Sequence, residues 1–129
     1  MASGKELGLG VSIYVVDDEP MVAELVSALL EIEGLGSTVF QSPVRALDAF
    51  STAKRRPQLL ITDYLMSELN GMELIEQCLR LEPGLRTILV SGYVNEDQIA
   101  AATIKPDRFL SKPFKSDMLI ATIRSLLGR

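Results

Sequence analysis

Leu59-Leu60-Ile61-Thr62-Asp63-Tyr64 is the stretch that decides how the rest of the chain reads. Four apolar or β-branched residues run straight into a single aspartate, the pattern of a buried strand that ends in a carboxylate. Three other stretches share this form. Ile13-Tyr14-Val15-Val16 runs into Asp17-Asp18-Glu19, Thr87-Ile88-Leu89-Val90 into Ser91-Gly92, and Arg108-Phe109-Leu110-Ser111 into Lys112-Pro113. In an open parallel sheet, ligands bind at the carboxyl ends of the strands. Three carboxylates, a hydroxyl and an ammonium therefore converge on one edge, a set suited to a divalent cation and a phosphoryl group.

Between these strands the sequence alternates to helical spacing. Pro20 sits where a first-turn proline is tolerated, and Val22, Leu25, Val26 and Leu29 give one apolar face that Gly34 and Gly36 terminate. Ser37 to Phe40 reads as a short strand. Ser42-Pro43 reads as an N-cap and first helical residue, with Val44, Leu47 and Phe50 on the inner face of a second helix. Asn70-Gly71-Met72-Glu73 has the form of a capping box before Leu74, Ile75, Cys78 and Leu79. Asn95 with Gln98 opens a short, Ala-rich fourth helix that ends before Pro106. Ser116 is placed to cap a last helix with Leu119, Ile120, Ile123, Leu126 and Leu127 as its stripe. Five βα units in a row predict an α/β sheet covered on both faces.

The bulk numbers agree with one such domain. The chain has 129 residues, 47% of them hydrophobic and 23% charged, which suffices for one buried core and argues against disorder. A net charge of −4 is the wrong sign for a polyanion binder, so direct nucleic-acid binding is not expected. Cys78 is the only cysteine, which excludes an internal disulfide and favours a reducing, cytoplasmic setting. No apolar run approaches the ~20 residues that span a bilayer, so no membrane association is expected. Residues 1–10 read as a flexible leader and 11–129 as the domain, with no effector domain expected after it. There is no histidine, which removes imidazole acid–base chemistry.

Each strand-end group has a bland reading. Acidic residues favour helix N-termini, which accounts for Glu19 but not for Asp63, which ends a strand with no helix directly after it. A strand-end lysine is usually a solvated charge and a Ser-Gly usually a turn. What raises Lys112 above that is Pro113, because an X-Pro bond can adopt cis and aim a side chain inward. Asp17, Asp18 and Asp63 brought together would repel one another unless a cation such as Mg²⁺, which takes oxygen ligands, lies among them.

Val15-Val16-Asp17-Asp18-Glu19-Pro20, the lone strand-end Asp63, Val90-Ser91-Gly92-Tyr93 and Ser111-Lys112-Pro113-Phe114, in this order, resemble the receiver domain of two-component response regulators. The resemblance runs from about residue 11 to the end. It implies a flavodoxin-like, doubly wound five-stranded parallel sheet of order 2-1-3-4-5 with five helices. It implies Asp63 as phosphoacceptor, with Ser91 and Lys112 completing the reactive set. Asp17, Asp18, Asp63 and the carbonyl of Leu65 would hold Mg²⁺, with Asp18 the more direct ligand of the acidic pair. Ser91 and Phe109 would form the switch. The implied donor is a phosphohistidine on a sensor histidine kinase or histidine phosphotransfer protein, or a small molecule such as acetyl phosphate. The implied output is a downstream effector, or self-association, through the fourth helix, fifth strand and fifth helix.

The sequence departs from the family pattern at Phe109, which lacks the hydroxyl that many members carry there and so would swing inward without a terminal hydrogen bond, and in two stretches. Met66-Ser67-Glu68-Leu69-Asn70-Gly71 lacks the usual proline after the acceptor, which predicts a looser loop. Lys105-Pro106-Asp107 replaces the usual Gly-Ala before the last strand, which predicts a short or partly unwound fourth helix. Two rivals fail on single residues. A phosphatase of the haloacid dehalogenase type needs an aspartate two residues after the nucleophile, where Leu65 stands. A flavin or nucleotide binder needs a phosphate-cradling loop after the first strand, where Asp17-Asp18-Glu19 repels phosphate. A degenerate receiver that serves only as a scaffold would not keep the full acid set. The expectation is a phosphoacceptor that catalyses only its own modification rather than an enzyme in the turnover sense.

Overall fold

The computed structural model describes residues 11–92, Asp97 and 101–128. Five parallel strands, β1 (Ser12–Val16), β2 (Gly36–Phe40), β3 (Leu59–Asp63), β4 (Arg86–Ser91) and β5 (Arg108–Ser111), pair in the order β2-β1-β3-β4-β5. Four helices are described: α1 (Pro20–Ile32), α2 (Pro43–Thr52), α3 (Gly71–Leu81) and α4 (Ser116–Leu127). The sequence predicts five. The remaining one, expected over residues 95–103, lies mostly outside the described residues, as does the expected leader at 1–10.

Strand period-2 alternation divides the core in two. Ile13, Val15, Leu59, Ile61, Ile88 and Val90 face Val26 and Leu30 of α1 and Leu119, Ile123 and Leu126 of α4. Tyr14, Val16, Leu60 and Leu89 face Ala46 and Phe50 of α2 and Leu74, Ile75 and Cys78 of α3. Every residue of β3 is buried. This is why its sequence is a continuous apolar run, whereas edge strand β2 is half-exposed and includes Ser37 and Thr38.

Helix ends follow the capping chemistry with one correction. Ser42 Oγ accepts from the Arg45 N–H at 3.2 Å, and Asn70 and Glu73 form both bonds of the capping box, each at 2.9 Å. Gly34 takes φ 76° just past α1, a conformation that costs glycine nothing. Ser116, however, is the first residue of α4 and not its cap. Lys115 holds the cap position, with no side-chain cap bond. The expected inner faces of α1 and α2 are also shifted. Leu25 is 58% exposed and Val44 39%, while Ala23 and Ala46 are buried in their place. Ala23 shares the α1 seam with Val26 and Leu30, and Ala46 the α2 seam with Phe50, so a reading by large apolar residues alone finds only part of each face.

Candidate functional site

The strand order sets the site. β1 and β3 are neighbours at the centre, so Asp17 and Asp18, just beyond β1, meet Asp63 at the end of β3. One carboxylate oxygen from each can be chosen so that all three lie within 4.8 Å of one another. Asp17 and Asp63 are buried and Asp18 is exposed. Ser91 ends β4 and is 2% exposed, and its carbonyl accepts from the Lys112 N–H at 3.0 Å. Lys112 follows β5, and its bond to Pro113 is cis. The Lys112 ammonium lies 3.3 Å from Asp17 Oδ2, 3.3 Å from Asp63 Oδ1 and 3.8 Å from Glu19 Oε1. Leu65, Asp18, Asp63, Ser91, Gly92 and Lys112 line a cleft of about 730 Å³, which Val22, Leu25 and Phe114 border with hydrocarbon.

The electrostatics are those of crowding. Burial pushes the Asp63 carboxyl above its ordinary value, the charge of Asp17 adds to this, and Lys112 opposes it without prevailing. Burial likewise raises Asp17, against the Glu19 backbone N–H and Lys112, which favour its ionised form. Burial works against the charge on Lys112, but the two carboxylates overcome it and hold its pKa above the usual lysine value. Asp17 is oriented at both oxygens: Oδ1 accepts from the Glu19 N–H at 2.9 Å while Oδ2 faces Lys112 at 3.3 Å. Its aim is therefore set by backbone and lysine together.

The donor set fits a hard divalent cation. Three carboxylates beside one ammonium leave two uncompensated negative charges, all the nearby donors are oxygens, and two of the acids are buried with raised pKa.

The loop after the acceptor is closed by bonds that the missing proline does not supply. Gly71 N–H donates to the Tyr64 carbonyl at 2.8 Å, Leu69 N–H to the Ser67 carbonyl at 2.9 Å, and Ser42 Oγ to Glu68 Oε1 at 3.1 Å. Glu68 adopts φ 75°, which L residues rarely do. Gly71 is required outright: a Cβ there would come within 2.3 Å of the Asp63 carbonyl oxygen. At the other departure, Asp107 Oδ2 accepts from the Thr87 N–H at 2.8 Å and lies 3.9 Å from Arg86 Nε, which ties the start of β5 to β4. Phe109 is half-buried and packs against the cluster under α2 and α3.

The residues predicted for the site thus stand at one edge, with Phe109 one strand-length behind Lys112. Sequence reasoning did not single out Glu19 as a lysine contact, nor Thr62, Gly71 or Asp107. Asn70-Gly71 was legible as a cap, but the contact that demands glycine is made only in the fold. Tyr93, which follows the Ser91-Gly92 turn, lies outside the described residues.

The chain matches the family model of the response regulator receiver domain over residues 13–124. It belongs to that family.

The receiver domain of NtrX from Brucella abortus, known from a crystal structure, is 30% identical with a TM-score of 0.80, covering 90% of this chain and 98% of that one. A receiver domain protein from Clostridium thermocellum is 26% identical with a TM-score of 0.84, covering 92% and 95%. Among curated proteins, the probable transcriptional regulatory protein TcrX of Mycobacterium tuberculosis is 32% identical over 123 residues, 95% of this chain and 52% of that protein. The nitrogen assimilation regulatory protein NtrX of Azorhizobium caulinodans is 35% identical over 111 residues, 84% of this chain and 24% of that protein. The chain spans about half the length, or less, of these curated relatives. It is a receiver domain of the two-component phosphorelay kind, and among the described residues no helix is long and apolar enough to cross a membrane.

Proposed function

We propose that Asp63 is the residue this receiver domain phosphorylates. An Asp63 carboxylate oxygen attacks phosphorus in line, an O–P bond forms, and the bond from phosphorus to the donor breaks, with the electron pair leaving on the donor. The donor is a phosphohistidine of a sensor histidine kinase or phosphotransfer protein, or a small acyl phosphate. Lys112 and Ser91 hold the transferred oxygens. Asp17, Asp18, Asp63 and the Leu65 carbonyl would hold Mg²⁺, which would supply positive charge against the carboxylates and the incoming phosphoryl group. The domain modifies only itself, and it works in the cytoplasm, where its donor is found.

The observation that carries this reading is Lys112 Nζ lying 3.3 Å from both Asp17 and Asp63 at the mouth of the cleft. An ammonium so placed balances the acids before transfer and is positioned to pair with a phosphoryl group after it. Movement of Ser91 toward the phosphate, followed by Phe109, would alter the face built from β5, α4 and the segment before β5, which an effector or a second copy would read. Residues 11–129 act as the unit, without direct nucleic-acid binding. The test is labelling with acetyl phosphate and Mg²⁺ followed by intact mass. The parent gains one phosphoryl group and Asp63→Asn gains none. Robust labelling of the asparagine variant places the acceptor elsewhere.

A further inference from the structure

Phe40, Val16, Thr62, Leu89 and Phe109 stand side by side across the five strands. The four other than Thr62 contribute to the cluster under α2 and α3. Thr62 is fully buried among them. A valine would fill the same volume with no polar group to satisfy, whereas a buried hydroxyl left without a partner is destabilising. The threonine Oγ1 donates to the backbone carbonyl of the next residue, Asp63, at 2.9 Å, with the Met66 sulfur at 4.0 Å.

A β-branched strand residue that satisfies its hydroxyl locally would be unremarked elsewhere. Here the carbonyl it holds belongs to the peptide that carries the acceptor into the loop. That carbonyl is packed under Gly71, where not even a Cβ fits. The N–H of the same peptide, on Tyr64, donates to the Val90 carbonyl at 2.9 Å. The next carbonyl, on Tyr64, accepts from the Gly71 N–H at 2.8 Å. Both polar groups of the Asp63–Tyr64 peptide are therefore bonded, as is the carbonyl of the peptide after it. The Leu65 carbonyl comes next along the chain.

We propose that Thr62 is a positioning residue: its hydroxyl sets the plane of the Asp63–Tyr64 peptide and, through it, the aim of the Leu65 carbonyl and the Asp63 carboxylate at a bound cation. The inference rests on the metal reading above. Groups that orient metal ligands from behind typically change affinity by about tenfold or more when removed.

The experiment compares the 129-residue parent with Thr62→Val, Thr62→Ser and Asp18→Ala by calorimetric titration with Mg²⁺, without phosphodonor and well below every Tm, alongside Tm in EDTA. Thr62→Val should bind Mg²⁺ about tenfold more weakly, and Thr62→Ser, which restores the hydroxyl, should bind as the parent does. A purely structural threonine would lower Tm in EDTA without moving the affinity of the folded protein. Parent-like affinity in Thr62→Val, or equal weakening in Thr62→Ser, overturns the proposal. Should the valine variant not fold, Thr62→Ala carries the same comparison. Failure of the parent itself to bind Mg²⁺, or undiminished binding by Asp18→Ala, overturns the metal reading and this inference with it, and is visible before any change at position 62.

Discussion

Lys112 Nζ lies 3.3 Å from Asp63 Oδ1, although the strands that deliver them, β5 and β3, are separated by β4. The ammonium reaches over the end of the intervening strand, past Ser91. With 24% of its side chain accessible, Lys112 is screened less than a surface lysine would be. Even so, it does not return Asp63 to an ordinary pKa, because burial and Asp17 together outweigh it.

This imbalance fixes a pH dependence. The folded state binds protons at Asp63 and Asp17 more tightly than the unfolded chain does. Between the ordinary carboxylate range and the raised folded values, stability must therefore fall as pH rises. A tenfold difference in proton affinity between the folded and unfolded states corresponds to about 1.4 kcal/mol. In metal-free buffer at neutral pH, Asp63→Asn should raise Tm by several degrees, and the gain should vanish in acid, where the parent carboxyl is neutral. Lys112 has the same slope in a higher pH window. Its contribution is present below its ordinary pKa of 10.5 and is lost as pH climbs through the raised folded value. Chemical denaturation across pH in EDTA reads both limbs. A parent more stable at neutral than at mildly acidic pH would contradict the sign.

Magnesium should act on the same groups. Binding to the folded state alone raises stability by mass action, by about 2.7 kcal/mol at a hundredfold excess over Kd. The melting temperature of the parent should rise with Mg²⁺, and Asp18→Ala should lose most of that rise. Identical curves in Mg²⁺ and EDTA would remove the case for a metal site.

Gly71 and Asn70 both depart from helix propensity, for different reasons. Alanine for glycine in a helix normally gains roughly 0.5–1 kcal/mol. At position 71 the Cβ meets the Asp63 carbonyl at 2.3 Å, and backbone cannot yield as a side chain can. Gly71→Ala should destabilise by about 3 kcal/mol and distort the acceptor strand end. Asn70→Ala, which removes a cap bond, should cost about 1 kcal/mol. Urea midpoints at constant slope separate the two. A stabilised Gly71→Ala would show that α3 can shift freely.

Cys78 is 1% exposed on the inner face of α3, and burial pushes its thiol up to about 12. Since the thiolate is the reactive form, a thiol reagent should label the native protein only as fast as it opens, and immediately in denaturant. Rapid labelling of the native protein would mean that α3 lifts off locally.

Much of the architecture was legible because strand period and capping chemistry are local. The buried run ending in Asp63, the cap at Ser42-Pro43 and the capping box at Asn70–Glu73 need only neighbours in the chain. The site was legible because parallel strands all end on one edge, so a residue type at a strand end already implies its company. Which helix face turns inward was decided by packing. Ala23 and Ala46 are buried where Leu25 and Val44 were expected, because the stripe of a helix that meets the sheet is set by the opposite surface and not by the size of the residues it carries. The requirement for glycine at 71, the tie from Asp107 to Thr87 and the hold of Thr62 on the Asp63 carbonyl arise where the chain meets itself. The same is true of the bridge from Lys112 to two acids, since Asp17 and Lys112 are 95 residues apart. Composition and order along the chain sufficed for the inventory of chemical groups. Their distances, burial and mutual charge, on which their reactivity depends, came only from the folding of five strands into one sheet.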